Sequence, residues 1–408
     1  MDRKYQLDTA ENRRFLRESA QNLLDFARRF PSPGGSAWYL GDSGEPWPDL
    51  PRETFATARM AHAYALGTLM GADGSPALAD AALRGLEEFA DSENGGWCAG
   101  LTSTGRRLRG KSAFTHAYII LAASSALIAG RPGAAALLKR ALTAFSDFFW
   151  LVRDGAAASR WDSSRQDPYR GLNANLHAAE AYLAAADALD DPVLRERAGR
   201  ILQRFTGYAE ENGWRVPEHY DQNWTPQPGY NEDKKDDPFR PYGLTPGHSF
   251  ILARLLLCWA LPMADVDPER TGMYMEAAQK LFDRAVQDAW QRDGQPGFIY
   301  TTDQDGTPIV HDRMHWVLAE AIQAAAALYR ATSAEQYADW YAQFMEYLDT
   351  AVMDHDRGSW FHQLDAENHP ADTVWPGKPD ISHALQACLA PYLPPDRSLA
   401  RGLSPVGA

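Results

Sequence analysis

The sequence predicts an all-α protein, an (α/α)6 barrel of six inner and six outer helices, and three observations carry that expectation. Helical periodicity runs through almost the whole chain, as in the Ala-rich amphipathic stretch from His177 to Leu189, which is too long for a strand. An aromatic residue recurs as an anchor at Trp38, Trp97, Trp161, Trp214, Phe298 and Trp360, mostly after glycine or another small residue. Each anchor is followed by a polar loop and then by a polar residue opening a helix: Arg59, His116, His177, His248, His315 and His383. The steps between those polar residues are 57, 61, 71, 67 and 68 residues, each long enough for two helices and their loops.

The first outer helix is expected around Ala10 to Phe30. Later helix starts are marked by Ser75-Pro76, Asp191-Pro192 and Asp267-Pro268, each reading as a capping side chain before a proline at the first helical position. Ser333 with Gln336 reads as a capping box. Six helix pairs could form an open solenoid or a closed ring. Long loops with unusual residues before the inner helices favour the ring, with those loops lining one mouth. No Pro/Gly/Ser-rich linker divides the chain, so residues 1–408 are expected to form one domain.

Composition narrows the function. Of 408 residues, 45% are hydrophobic, enough for a large core. Lys plus Arg number 40 against 54 for Asp plus Glu, a net charge of −14 that disfavours nucleic acid and anionic membranes. The first residues, Met1-Asp2-Arg3-Lys4-Tyr5-Gln6, lack the apolar core of a signal peptide, and no run of 18 apolar residues occurs. Cys98, Cys258 and Cys388 are far apart and unpaired in spacing, which suits free thiols in a reducing, cytoplasmic setting.

Five of the six inner helices open with histidine, and the first opens with Arg59 followed by His62. A buried imidazole is costly unless paired, and imidazole is the natural proton carrier near neutral pH, so several converging on one cavity suggest a catalytic site. His311 and His315 are four apart, but His-Asp-Arg-Met-His lacks the Glu of a zinc-protease motif, and no Cys pair or Asp cluster completes a ligand set. No metal and no cofactor are expected. Glu180 and Glu320, inside inner helices, suit packing or histidine orientation better than the paired carboxylates of a glycosidase.

These motifs resemble the N-acylglucosamine 2-epimerase superfamily, in its mannose isomerase and sulfoquinovose isomerase branch. Trp375-Pro-Gly-Lys-Pro-Asp-Ile-Ser-His-Ala-Leu-Gln386 is similar to the last-repeat motif, and Asp312-Arg-Met-His-Trp-Val-Leu-Ala-Glu-Ala321 to the fifth. Arg170-Gly-Leu-Asn-Ala-Asn-Leu-His177 with Glu180 resembles the third, and Arg240-Pro-Tyr-Gly243 with Pro246-Gly247-His248 the fourth. Thr57-Ala-Arg59 with Met60 and His62 matches the first repeat, and Lys111 with His116 the second. The resemblance implies a metal-independent aldose–ketose isomerase working through a cis-enediol, with mannose and fructose as its sugars. His383 would take the proton at C2, and His248 would serve ring opening and proton transfer at C1 and O1. Arg59, His116, Asn173, His177, Arg240, Lys378 and Asp380 would bind substrate, and Trp316 would form an apolar wall. The expected partner is thus a monosaccharide, the protein acting as a monomer or homodimer. A mannose/glucose 2-epimerase and a sulfoquinovose-type isomerase share the first proton abstraction. The pattern departs at two places: Phe114 stands where many relatives have Tyr, and Ile251 stands where the family carries a Glu that orients the fourth-repeat histidine. The second departure raises the alternative of a sugar-binding pseudoenzyme.

Overall fold

A computed structural model describes residues 3–162 and 165–404. Its helices, in chain order, are α1 (Ala10–Phe26), α2 (Thr54–Leu69), α3 (Ser75–Glu87), α4 (Ala113–Ile128), α5 (Ala134–Phe148), α6 (Leu172–Leu189), α7 (Pro192–Glu211), α8 (Pro246–Ala260), α9 (Pro268–Ala289), α10 (His315–Thr332), α11 (Glu335–Tyr347), α12 (Ser382–Leu389) and the short α13 (Leu399–Leu403). Odd-numbered α1 to α11 stand where outer helices are expected and even-numbered α2 to α12 where inner ones are. Burial separates the two kinds. In α8, 14 of 15 residues are buried, and in α2, 13 of 16, because small and apolar residues surround the whole helix. In α3 and α11 only 6 of 13 are buried, all on one stripe.

The chain forms two compact units. One comprises Leu23–Ile201, Lys378–Ser382 and Arg397–Ala408; the other comprises Met1–Asn22, Leu202–Gly377 and His383–Asp396. In the first unit α4 packs between α2 and α6, with α3 against α2 and α5 against α4. In the second, α8 packs on α9 and α10, and α10 on α11. No helix among the described residues is long and apolar enough to cross a membrane.

Helices begin at all four expected places, and two of the expected capping side chains hold. Asp267 caps α9 by accepting from the Arg270 amide at 3.1 Å, and Asp191 accepts from the Val193 amide at 2.9 Å at the start of α7. Two do not. Ser75 is already helical, and Gly74, with φ 79°, precedes it. Ser333, with φ 56°, ends α10, because only Ser333 and Ala334 separate α10 from α11; the residue flanking α11 is Ala334.

After the outer helices the chain turns back on itself at the aromatic anchors. Ala90 pairs with Trp97, Trp290 with Phe298 and Met353 with Trp360, each as an antiparallel bridge that buries the ring. In the third repeat the equivalent partner is Ala157, which pairs with Trp150, and Trp161 lies four residues beyond. The aromatic there comes from the helix side, where Trp150 sits 5.6 Å from the ring of Tyr182. The loops expected between anchor and inner helix hold short ribbons. Gly100–Leu101 pairs with both Arg52–Glu53 and Arg107–Leu108, and Arg313–Met314 pairs with Gln363–Leu364. The charged stretch 231–237 is exposed apart from half-buried Asn231 and Asp237, as a solvated segment should be.

Candidate active site

The polar residues that mark the repeat all lie in the first two turns of their inner helices. In the second unit this places His248 near the start of α8, His315 and Trp316 at the start of α10, and His383 at the start of α12. Both His248 and His383 are 6% exposed. His383 Nδ1 is 3.0 Å from Glu320 Oε1, and Glu320 is itself held by Arg254 of α8, whose Nη2 donates to Oε2 at 3.2 Å. His248 Nδ1 lies 2.8 and 2.9 Å from the two carboxylate oxygens of Glu218, a buried loop residue. A carboxylate only accepts, so each imidazole carries its proton on Nδ1, which makes Nε2 the basic nitrogen of the ring. Trp316 faces both rings, 5.2 Å from His248 and 6.1 Å from His383. It reaches α8 because Gly247 has no side chain: a Cβ there would stand 2.6 Å from the indole.

His315 does not join His311 on one helical face. His311 is in the exposed loop before α10, bonded to Asp293 at 3.1 Å, whereas His315 is buried and stacks on His362 with ring centroids 3.8 Å apart. Among the described residues no group of three His, Cys, Asp or Glu side chains is placed to hold a metal. Arg240, half-buried, donates to the Tyr230 hydroxyl at 2.9 Å.

In the first unit Arg59 and His177 belong to one polar chain. Arg59 Nη1 donates to Asp380 Oδ2 at 3.0 Å and Nη2 to the Tyr118 hydroxyl at 2.9 Å. That hydroxyl lies 3.4 Å from His177 Nε2, and His177 Nδ1 lies 3.4 Å from Glu180 Oε2. The guanidinium also sits over the Tyr118, Phe55 and Phe114 rings, at 4.5, 5.3 and 5.8 Å from their centroids. Burial works against its charge, but the Tyr118 and Asp380 oxygens outweigh burial and hold its pKa above the usual arginine value. Half-buried Glu53, which precedes α2, is pushed up to about 7, chiefly by burial; the Arg59 charge offsets this in part and the Asp380 charge adds to it. Asn173, the second residue of α6, is half-buried.

Two of the substrate-binding residues expected from the sequence, His116 and Lys378, are almost wholly buried. His116 is fully buried, with Nε2 accepting from the Trp97 amide at 3.1 Å and Nδ1 donating to the Ser112 carbonyl at 2.8 Å. Burial lowers its pKa to about 4, and both nitrogens serve backbone groups, so the geometry assigns His116 to the fold. Lys378 is 1% exposed, with its ammonium 5.5 Å from the Phe26 ring centroid, and its amide donates to the Leu40 carbonyl.

Sequence reasoning gave Glu180 and Glu320 a choice between packing and orienting histidines, and both lie against one. It missed Glu218, Tyr118 and His362. Glu218 is 30 residues from its histidine in an aperiodic loop, so no spacing could announce it. Tyr118 was within reach, lying two residues beyond His116 on an inner helix.

Carboxylate-backed histidines and an indole on the inner helices are groups chemically suited to moving protons on a small polar substrate. The profile of the N-acylglucosamine 2-epimerase (GlcNAc 2-epimerase) family matches residues 34–387. A D-mannose isomerase from Thermobifida fusca is 42% identical over 405 residues, covering 98% of both chains. One from Pseudomonas cannabina pv. alisalensis is 38% identical, covering 98% of this chain and 97% of that protein. Among solved structures, a D-mannose isomerase superposes with a TM-score of 0.85 at 28% identity, over 92% of this chain and 96% of that one. The cellobiose 2-epimerase of Spirochaeta thermophila DSM 6192 superposes with a TM-score of 0.79 at 19% identity, over 95% and 97%, a likeness of fold. The chain belongs to the N-acylglucosamine 2-epimerase family. It is an all-α enzyme of the sugar isomerase and epimerase class, with the inner and outer helices of an (α/α)6 barrel fold.

Proposed function

We propose that this enzyme interconverts D-mannose and D-fructose through a cis-enediol, without a cofactor, in a reducing cytoplasmic setting. The observation that carries the reading is the pair of imidazoles, His248 and His383, each with Nδ1 on a buried carboxylate and each facing Trp316. The curated relatives named D-mannose isomerase direct the choice of sugar. The three buried thiols support the compartment.

In this scheme His248 Nε2 takes the O1 proton as the pyranose ring opens and O5 is protonated from solvent. His383 Nε2 then takes the C2 proton of the open aldose. The C2–H electron pair becomes the C1=C2 double bond, and the carbonyl oxygen O1 receives a proton from His248. His383 then releases the C2 proton to water and His248 takes one up, and the enediol collapses as His383 accepts the O2 proton, C2=O forms and His248 delivers a proton to C1. Imidazole alone is too weak a base for a C–H beside a carbonyl, so donors to the developing oxyanion must supply several kcal/mol. We assign hydroxyl and oxyanion binding to Arg59, Asn173, His177 and Arg240, and the apolar wall to Trp316. Asp380 contributes by fixing the Arg59 fork. The domain reading is the same as from sequence: residues 1–408 acting as one catalytic domain.

The test is incubation with D-mannose in deuterated water, resolving fructose from glucose and measuring deuterium at C2. Fructose with C2 exchange in recovered mannose is the expected result. Glucose as the main product would make the enzyme a 2-epimerase, and no product or exchange from any common hexose would sink the proposal. His383→Asn should keep the thermal midpoint and abolish C2 exchange; retained exchange would move the base to another residue.

A further inference from the structure

We propose that Glu218 is the positioning residue of His248, delivering from a loop the carboxylate that the family resemblance expects at position 251 of α8. The inference rests on the isomerase reading for its kinetic consequence and on geometry for its substance. Both Glu218 oxygens lie within hydrogen-bond distance of the same nitrogen, His248 Nδ1, at 2.8 and 2.9 Å. The Thr245 amide, just before α8, donates to Oε1 at 3.2 Å, so the carboxylate is tied to the backbone that launches the helix. Glu218 is 4% exposed, which leaves little room for another rotamer.

The chain on either side of Glu218 is fixed as well. Tyr220 donates its hydroxyl proton to the Pro217 carbonyl at 2.8 Å. His219 Nε2 donates to the Pro241 carbonyl at 2.8 Å, and its ring lies 4.6 Å from Tyr230. A carboxylate held this firmly fixes the tautomer and ring orientation of its histidine, and it stabilises the imidazolium formed when Nε2 takes a proton. Ile251, 1% exposed one turn along α8, is then a packing residue beside a histidine already served.

Two variants separate charge from hydrogen bonding. Glu218→Gln can still accept from Nδ1–H through its amide oxygen but carries no charge; Glu218→Leu removes both. Nitrogen-15 NMR of the wild type, without substrate, should show a hydrogen-bonded Nδ1–H on His248 that is weakened in the Gln form and absent in the Leu form. Fructose formation from mannose should fall about 10-fold and about 100-fold respectively, the larger loss at the low end of general acid–base contributions. KM should change little. The ratio of C2 deuterium exchange to fructose formed should rise, because exchange needs His248 only for ring opening and O1 protonation, whereas fructose needs it again for the proton at C1. A purely structural role would lower exchange and isomerisation together. An unchanged ratio in a folded Gln form, or an Nδ1–H signal indifferent to Glu218, overturns the proposal. If the Leu form fails to fold, the Gln form decides alone. Absence of isomerase activity in the wild type would sink the functional reading and leave the NMR test standing.

Discussion

Ile251 lies three residues along α8 from His248 and is 1% exposed, among residues that are buried on every side of the helix. From the sequence, its apolar side chain reads as the loss of a carboxylate that should serve His248, and a pseudoenzyme follows as an alternative. The structure removes that ground, since Glu218 supplies the carboxylate from 30 residues away. Ile251→Glu should therefore bring no gain in rate. His248 Nδ1 has one proton, already donated, and a second carboxylate would have to be buried without a partner, at a cost of a few kcal/mol. We expect a lowered thermal midpoint and isomerisation no faster than wild type; a faster folded variant would show that Glu218 leaves His248 poorly aligned. The two histidines themselves were legible because each repeats a position and sits in a recognisable motif. Their carboxylates were legible only when helical, as Glu320 is.

The inner helices were legible because small and apolar residues cover their whole circumference, and the outer helices because theirs form a stripe. The two-residue ribbons before the inner helices were not, since so short a strand carries no period. Capping signals misled where connections are tightest: Ser333 has the composition of a helix start, but a two-residue link makes it the end of α10. At this scale the contact of α8 with α10 is set by Gly247. A Cβ there would stand 2.6 Å from Trp316 and 3.0 Å from Val317 Cγ2, so the indole or the helix that carries it must shift. Gly247→Ala should lower stability by about 1–3 kcal/mol, the usual cost of overpacking. It should also lower kcat, because the displaced indole faces both imidazoles proposed to be catalytic. Denaturant unfolding and steady-state kinetics on mannose check both effects; a variant with full activity and unchanged stability would mean that the indole repacks freely.

Across the whole molecule the repeat was the most informative signal, because six similar helix pairs account for nearly all of the chain. Titration is the property that no repeat foretells, since it depends on which buried groups meet. Two groups bend the stability of this acidic protein in opposite directions. The Glu53 carboxyl is raised from 4.5 to about 7, so the folded state holds its proton more tightly than the unfolded chain. Its contribution is complete below about 4.5 and is lost as pH rises through about 7. His116 is lowered from 6.5 to about 4, so its contribution is complete above 6.5 and is lost as pH falls through about 4. Removing the titrating carboxyl without changing its shape should abolish the first loss alone. Glu53→Gln should therefore melt above wild type at pH 8 and match it near pH 4.5, while both keep the acid-side decline that His116 imposes. Thermal midpoints of the two forms across that pH range, at fixed ionic strength to hold the screening of the remaining charges constant, make the comparison. An equal offset at both ends of the range would mean that Glu53 stabilises by its shape and hydrogen bonds, with its proton playing no part.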